Sequence, residues 1–400
     1  MSGKLRVCFV GCGEFAANFV PLFKAHPLVE KVYVCDLLRE RAEKYSAKFG
    51  VEIIDSFEEA LKSPAVNAVA IFAQRHLHGP LVKQALLAGK HVYSAVPMAS
   101  RVEECQEIVE LVKKTGLTYM MGETCIYYPC SMFCKARYES GEMGKFVYAE
   151  AQYHHDISHF SEWFRADKKS AGVPPFYYPT HSTAMVLHAV NAHVTKVVAM
   201  GYEDQEHDGI FEKGVNQWDN VYSDEFSLMH LSNGGTARIN ECRRIGYKAP
   251  SSYINGFYGT KGAYQFSNAQ HILTHLTKEG VDFQDVSALV NPRVMEEHRG
   301  DADFKAKVAN HGWQWDLFSP VQDARVATLP ESFKGLPNGH MASHQLLVDD
   351  FCTAVFYEKI PTVSAWDAAR YTIPGLLAHE SILKDSLPIE VPDCGDAPRD

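Results

Sequence analysis

Four hundred residues are enough for two domains that each bury a core without disulfide staples, and 46% hydrophobic against 22% charged residues argues against a disordered or fibrous chain. A net charge of -10, with no cluster of Lys and Arg, argues against a nucleic-acid partner, because neutralising phosphates requires clustered cations. No apolar stretch has the length of a membrane span, and "MSGKLRVCFVGCGEF" enters a β-type run without the apolar core of a secretory signal, so a cytoplasmic protein with no membrane partner is expected. The ten cysteines stand mostly inside apolar runs, as at Cys8, Cys35 and Cys352, which suits packed thiols in a reducing compartment.

From residue 5 to about 124, β-type runs alternate with amphipathic helical stretches. The strands read "LRVCFVG", "KVYVCD", "VEII", "NAVAIFA", "KHVYSAV" and "TYMMGET". Between them lie "EFAANFVPLFKAH", "RERAEKYSAKFG", "SFEEALKS", "HGPLVKQALLAG" and "VEECQEIVELVKKTG", a pattern that predicts a parallel sheet with helices on both faces. Past Tyr128-Pro129 a helical piece leads into long alternating runs. Their turns "SNGG" and "GTKG" read as hairpins, so a large open antiparallel sheet is expected. Residues 268–335 read as an irregular polar excursion, with "EGVDFQDVS" as a solvated loop; Trp163, Phe164, Trp313 and Trp315 read first as core aromatics and second as rings on which a ligand could stack. Two helices follow, "ASHQLLVDDFCTAVFYE" and "AWDAARYTIPGLLAHESILKD". The expected fold is an α/β Rossmann domain, 1–125, followed by an α+β domain, 126–400, its last helices packing back towards the first.

"VGCGEFA" supplies Gly11, Gly13 and Ala16 directly after a strand, in the G-x-G-x-x-A form of a dinucleotide site. Gly11 permits the tight turn, Gly13 lets a pyrophosphate approach the backbone, and Ala16 lets helix and strand pack closely. Asp36 ends the second strand, where a carboxylate bonds the adenosine ribose hydroxyls and repels a 2'-phosphate. This favours NAD over NADP. Arg39 reads equally as an adenine contact or as part of a solvated helix face.

On "VGCGEFA", "HLHGPLVKQALLAGKHV", "YGTKG" and "PTVSAWDAARYTIPGLLAHESILKDSLPIEVP" the chain resembles the Gfo/Idh/MocA family of NAD(P)-dependent oxidoreductases, which act mainly on sugars, inositols and their derivatives. The resemblance implies a carbohydrate-like small-molecule substrate and a homodimer or homotetramer joined through the C-terminal sheet. It also implies a cofactor surface of Gly11, Gly13, Glu14, Phe15, Ala16, Asp36, Arg39, Ala73, Gln74, His78, Ala95, Val96 and Pro97. Three places depart from the family, one of them Gln74-Arg75, which stand before His76-Leu77-His78 where the family has an asparagine-proline turn. Where most members have Glu-Lys-Pro, this chain has Ala95-Val96-Pro97, so the proton-handling lysine is replaced by valine. His181 matches the histidine of the family's Asp-x-Gly-x-His pattern, but Tyr177 stands in the aspartate position. The Val-Pro pair and "YPTH" resemble a branch of NAD-dependent glycosidases that oxidise a sugar hydroxyl, eliminate the aglycone, add water and return the hydride.

A hydride leaves a carbinol carbon readily only as the O–H proton is removed, so a base must stand beside the reacting hydroxyl. Histidine titrates near neutrality. His181 is the first choice, with Tyr177, Tyr178, His155, His340 and His344 as partners; strand alternation puts Tyr153 and His155 on one face and His154 and Asp156 on the other. A metal near His154 and Asp156 is considered and no metal is expected. The main reading is hydride transfer between nicotinamide and a sugar, glycoside or polyol carbon. The alternatives are the redox-neutral glycosidase or lyase and a non-catalytic dinucleotide-binding regulator.

Overall fold

The structure is a computed structural model that describes residues 3–246, 251–267, 270–291 and 317–398. Trp313 and Trp315 lie outside the described residues. The chain forms two compact units. Residues 1–129, 291–369 and 394–400 make the first, and residues 130–290 and 370–393 make the second. This division differs from a single cut at residue 125, because the chain returns to the first unit after residue 290.

The first unit is built on a parallel sheet of β1 (Leu5–Val10), β2 (Val29–Cys35), β3 (Glu52–Ile53), β4 (Ala68–Ile71), β5 (His91–Ser94) and β6 (Tyr119–Met121), in the order β3-β2-β1-β4-β5-β6. Every side chain of β4 is buried, as expected of a parallel strand covered on both faces. The sequence leaves β1 in two directions, to β2 on one side and β4 on the other, so the strand order reverses at β1/β4, where open sheets of this kind bind ligands at the strands' carboxyl ends. The helices are α1 (Val20–Ala25), α2 (Arg39–Phe49), α3 (Phe57–Lys62), α4 (His78–Leu87) and α5 (Val102–Thr115). Both α2 and α5 end on a left-handed glycine, Gly50 and Gly116.

The helical stretch expected over residues 14–26 is broken into a 3-10 turn, Ala16–Asn18, and the short α1. Pro21 explains the break. It has no N–H to give to a preceding turn, and it is tolerated where it stands, in the first turn of a new helix.

The second unit opens with α6 (Pro129–Glu139, from Cys130 onward) and carries β7 (Phe146–His154), α7 (Thr180–Val190), β8 (Val194–Glu203), β9 (Tyr222–Leu231), β10 (Thr236–Cys242), β11 (Ser251–Gly259), β12 (Gly262–Phe266), β13 (His271–Leu276), β14 (Val281–Asp285) and β15 (Ile389–Glu390). These strands form one sheet in the order β14-β13-β12-β11-β7-β10-β9-β8-β15. The sheet is the large antiparallel one expected, with one parallel pair at its centre, β7 and β10. The predicted hairpins at "SNGG" and "GTKG" join β9 to β10 and β11 to β12.

The expectation of an irregular excursion from residue 268 is also corrected: β13 and β14 extend the sheet, and "VDFQD" within the supposed solvated loop is its edge strand. All five residues of β14 are exposed, so burial imposes no apolar alternation on them and periodicity misses the strand. One face of the sheet carries Ala149, Ala151, Ala237, Ile239, Met229 and Val197, all buried, and packs on α7. On the other face Met200 pairs with Phe226 and Val198 with Leu228; Met200, Phe226 and Leu228 are exposed, and so is Tyr202.

Two further helices are α8 (His344–Tyr357), which packs on α1 and β1 in the first unit, and α9 (Ala365–Leu383), whose residues through Ala369 belong to the first unit and the rest to the second. All ten cysteines are free thiols and all but Cys394 are buried. No helix among the described residues is long and apolar enough to cross a membrane.

Candidate functional site

The glycine loop of the first unit is held by backbone geometry. Gly11 has φ +98° and donates its N–H to Cys35 O at 3.0 Å; a Cβ there would stand 2.7 Å from Phe72 O, so no other residue fits without displacing the backbone. A Cβ on Gly13 would meet nothing within 4 Å, which is the open approach a pyrophosphate needs, while the Tyr45 hydroxyl donates to Gly13 O from beneath. Ala16 is fully buried.

Asp36 locks the loop to the second strand. Its Oδ2 accepts Cys12 N–H at 2.7 Å and its Oδ1 accepts Leu38 N–H at 2.8 Å, which leaves further lone pairs on both oxygens for ribose hydroxyls. Arg39 is exposed and bonded to Glu43 (3.1 Å) and Asp55 (2.5 Å), so its charge is committed to α2 and the following loop.

The carboxyl ends of β4 and β5 carry the remaining cofactor candidates. Ala95 N–H bonds Ile71 O at 2.9 Å, and the Val96–Pro97 peptide is cis. His78, fully buried, places Nδ1 2.7 Å from Pro97 O and Nε2 3.1 Å from Ala73 O, so it ties the two strand ends together. Burial lowers its pKa, the two carbonyls opposing that only in part. Glu14 is exposed and Phe15 half-buried at the loop's outer side, and Gln74 caps a 3-10 turn over 75–77.

His340 and His344 belong to the first unit. His344 Nε2 lies 3.1 Å from His340 Nδ1, its ring packs 4.5 Å from Phe19, and both imidazoles meet Phe15 edge to face. Burial drives the His344 pKa down to about 3, so this ring is neutral and supports the aromatic base of the glycine loop. Residues 340–342 all have positive φ, a bend held where Gln322 Nε2 donates to Met341 O at 3.0 Å. Glu123, fully buried after β6 with Oε1 accepting Cys125 N–H at 2.9 Å, is a carboxylate that sequence reasoning missed. Its only signal was an acidic residue closing an apolar strand.

In the second unit four predicted or weighed residues come together. Tyr153, on the α7 face of β7, has its hydroxyl 2.5 Å from His155 Nδ1. Tyr178 OH lies 3.2 Å from His181 Nε2, and the Tyr153 ring stands 5.1 Å from His181 and 5.9 Å from Tyr178. His181 sits in the first turn of α7 and is 2% exposed. The helix starts there because Pro174, Pro175 and Pro179 stiffen the approach and Gly375 leaves room for Pro179: a Cβ on Gly375 would be 2.3 Å from the proline Cβ. His155 is stacked on Phe160 at 4.0 Å, and Phe160 in turn on Phe164, so Phe164 belongs to a small core with Ile157, Ala171, Ile210 and Phe211.

Tyr177 is not part of this cluster. Its ring faces His379 at 5.3 Å, and burial and the Glu225 charge raise its pKa. His154, on the opposite face of β7, is pushed down to about 4 by burial and by Arg243 and Arg238, the wrong direction for a charged group. Two phenol–imidazole pairs within touching distance can pass a proton and donate to an oxyanion.

Residues 5–123 match the model of an oxidoreductase family with an NAD-binding Rossmann fold, Gfo/Idh/MocA. A "Glycosyl hydrolase family 109 protein" of Streptomyces filamentosus is 23% identical over 97% of this chain and 77% of its own length. Among solved structures, a levoglucosan dehydrogenase in complex with NADH superposes with a TM-score of 0.74 at 18% identity, covering 98% of this chain and all of that one. The scyllo-inositol dehydrogenase of Lactobacillus casei, with bound NAD(H) and scyllo-inositol, does so at 0.67 and 14%, covering 97% and 99%. Glycine turn, the acidic residue Asp36 and strand order agree with that match, and residues 5–123 are similar to the NAD-binding Rossmann domain of this oxidoreductase family.

Proposed function

We propose that the enzyme transfers a hydride between NAD and a hydroxyl-bearing carbon of a sugar, glycoside or polyol, with the Tyr153–His155 and Tyr178–His181 pairs moving the hydroxyl proton. The observation that carries this is the pairing of two phenols with two imidazoles in one cluster, Tyr153 and His181 buried and His155 and Tyr178 half-buried, in a chain with Val96 in place of the family's lysine. Gly11, Gly13 and Asp36 hold the dinucleotide, which when bound accepts the hydride at its nicotinamide ring. As the carbinol C–H bond breaks, the substrate O–H proton passes to His181, and Tyr178 donates to the forming carbonyl oxygen. His340 and His344 are assigned to support of the glycine loop, and Tyr177 to packing beside His379.

A second reading has its own support. Oxidation alone needs one proton acceptor, whereas oxidation followed by elimination of an aglycone also needs a group to take the acidified C–H proton and one to protonate the departing oxygen. The four groups of two phenol–imidazole pairs are enough for these three roles, and relatives matching along 97% of the chain are named as glycosyl hydrolases. Incubation with a panel of glycosides and polyols, followed at once for NADH absorbance and aglycone release, separates the readings. Stoichiometric NADH supports the dehydrogenase; aglycone without NADH supports the redox-neutral reaction; neither, across the panel, sinks both.

The exposed Met200, Tyr202, Phe226 and Leu228 form an apolar patch that a second copy of the sheet would cover, giving the homodimer or homotetramer. Replacing Phe226 and Leu228 by Lys turns the protein into a monomer in sedimentation equilibrium if this assignment is right.

A further inference from the structure

The register of the central strands places two carboxylates side by side. Glu225 of β9 is the partner of Glu241 of β10, and Glu241 is in turn the partner of Tyr153 across the parallel β7/β10 pair. Both carboxylates are fully buried, which is costly unless each is compensated.

Each has its own partners, and those partners lead to the cluster. Glu225 Oε2 accepts Phe176 N–H at 2.6 Å and Oε1 meets His379 Nδ1 at 2.6 Å. Glu241 Oε1 accepts the Ser182 hydroxyl, and Oε2 accepts Arg243 Nη2 at 3.3 Å. The two glutamates therefore fasten the segment bearing Tyr178 and His181 at both ends, Phe176 and Ser182. Arg243, with 3% of its side chain exposed, spends another donor on Cys242 O at 3.1 Å, and its guanidinium carbon lies 5.0 Å from the centre of the Tyr153 ring.

We infer that Arg243 is a positioning residue of the proton-transfer cluster: fastened by Glu241, its guanidinium covers the Tyr153 ring and keeps that phenol hydroxyl directed at His155. A planar, permanently charged fork suits this place, since it stacks on an aromatic face while bonding a carboxylate. The charge also acts on the proton. A cation over the ring favours the phenolate that forms when the proton passes to His155, and the Glu241 carboxylate beside it opposes this. The groups facing Tyr153 include His155, His181, Tyr178, Arg243 and Glu241. The inference rests on the proposed role of this cluster in moving the substrate proton.

The test is a fluorine NMR titration of the full chain, saturated with NAD, carrying 3-fluorotyrosine at position 153. Arg243→Met raises the ionisation midpoint of that tyrosine by about one pH unit or more, Arg243→Lys by less, and Glu241→Gln lowers it. Shifts of opposite sign are a signature that a purely structural role does not produce. Where Arg243→Met fails to fold, Glu241→Gln, which removes the negative charge but keeps an amide oxygen to accept from Arg243, decides alone. A midpoint unmoved in Glu241→Gln, or moved the same way by both substitutions, overturns the inference. With a turned-over substrate in hand, Arg243→Met lowers kcat about tenfold or more and leaves the KM for NAD unchanged. The titration needs no substrate, so an unreactive panel would count against the functional reading while the midpoints judge Arg243.

Discussion

The glycine loop of the first unit and the tyrosine–histidine cluster of the second are built in opposite ways. Gly11 N–H bonds Cys35 O, Cys12 N–H bonds the Asp36 carboxylate and Gly13 O accepts the Tyr45 hydroxyl, so the loop engages its surroundings through its own backbone groups, and its shape is a local consequence of one strand, one turn and near neighbours in sequence. Tyr153, His155, Tyr178 and His181 are held by side chains from Glu225, Glu241, Arg243 and Phe160, and by a glycine at 375 that admits Pro179. Backbone-built sites tolerate changes in surrounding side chains. Side-chain-built sites place chemistry that no backbone can supply, and they depend on each supporting residue.

The largest effect expected sharpens the chemical side of this contrast. Replacing His181 by Ala lowers kcat by about 10²- to 10⁴-fold, the usual worth of a general acid or base, while calorimetry finds NAD affinity unchanged. A kcat within twofold of wild type would remove His181 from the mechanism. Gly11→Ala strikes the backbone side: a Cβ 2.7 Å from Phe72 O at φ +98° costs about 1–3 kcal/mol of strain and should abolish measurable NAD binding at micromolar cofactor. Calorimetric binding like that of the wild type would show that the loop shape is not what captures the dinucleotide.

Acid probes the second unit's dependence on buried neutral rings. His188 is held down to about 3, first by burial and then by Lys135, against about 6.5 unfolded. Below pH 6.5 the unfolded chain binds a proton that the folded chain does not, so this contribution is complete above that value and is lost as pH falls towards the folded value. By pH 5 the loss is about 2 kcal/mol. Urea unfolding at pH 7 and pH 5 should show it, and His188→Asn should shrink the difference between the two.

Asp36→Ala removes acceptors for Cys12 and Leu38 and a ribose ligand; NAD affinity should fall about tenfold while NADP gains relative to NAD in competition binding. The smallest change is expected for Arg39→Ala. An exposed guanidinium already bonded to Glu43 and Asp55 has little to give a cofactor, and NAD affinity should stay within about twofold.

Much of the first unit was legible from the order of residues. Its strands are buried runs, its helices end on Gly50 and Gly116, and its loop needs glycine for geometric reasons that operate over a few neighbours. Within it, Pro21 broke a helix that periodicity ran through, and His344 proved to be a packed ring under Phe19, because apolar spacing reports a face and not what the face meets. In the second unit the hairpins at 232–235 and 259–262 were legible, since turn residues are local signals, but the edge strand β14 and the parallel β7/β10 pair were not.

The residue order by itself determined where a dinucleotide is expected to bind, because strand, turn and carboxylate are adjacent in one βαβ unit and each demands a particular residue type. Only the tertiary structure decided that Tyr153 stands with Tyr178 and His181, that Tyr177 turns away to His379, and that Glu241 holds Arg243 over a phenol. Those choices follow from strand register and the packing of α7, and a register pairs residues almost ninety positions apart, as at Tyr153 and Glu241, whose side-chain patterns carry no mark of one another.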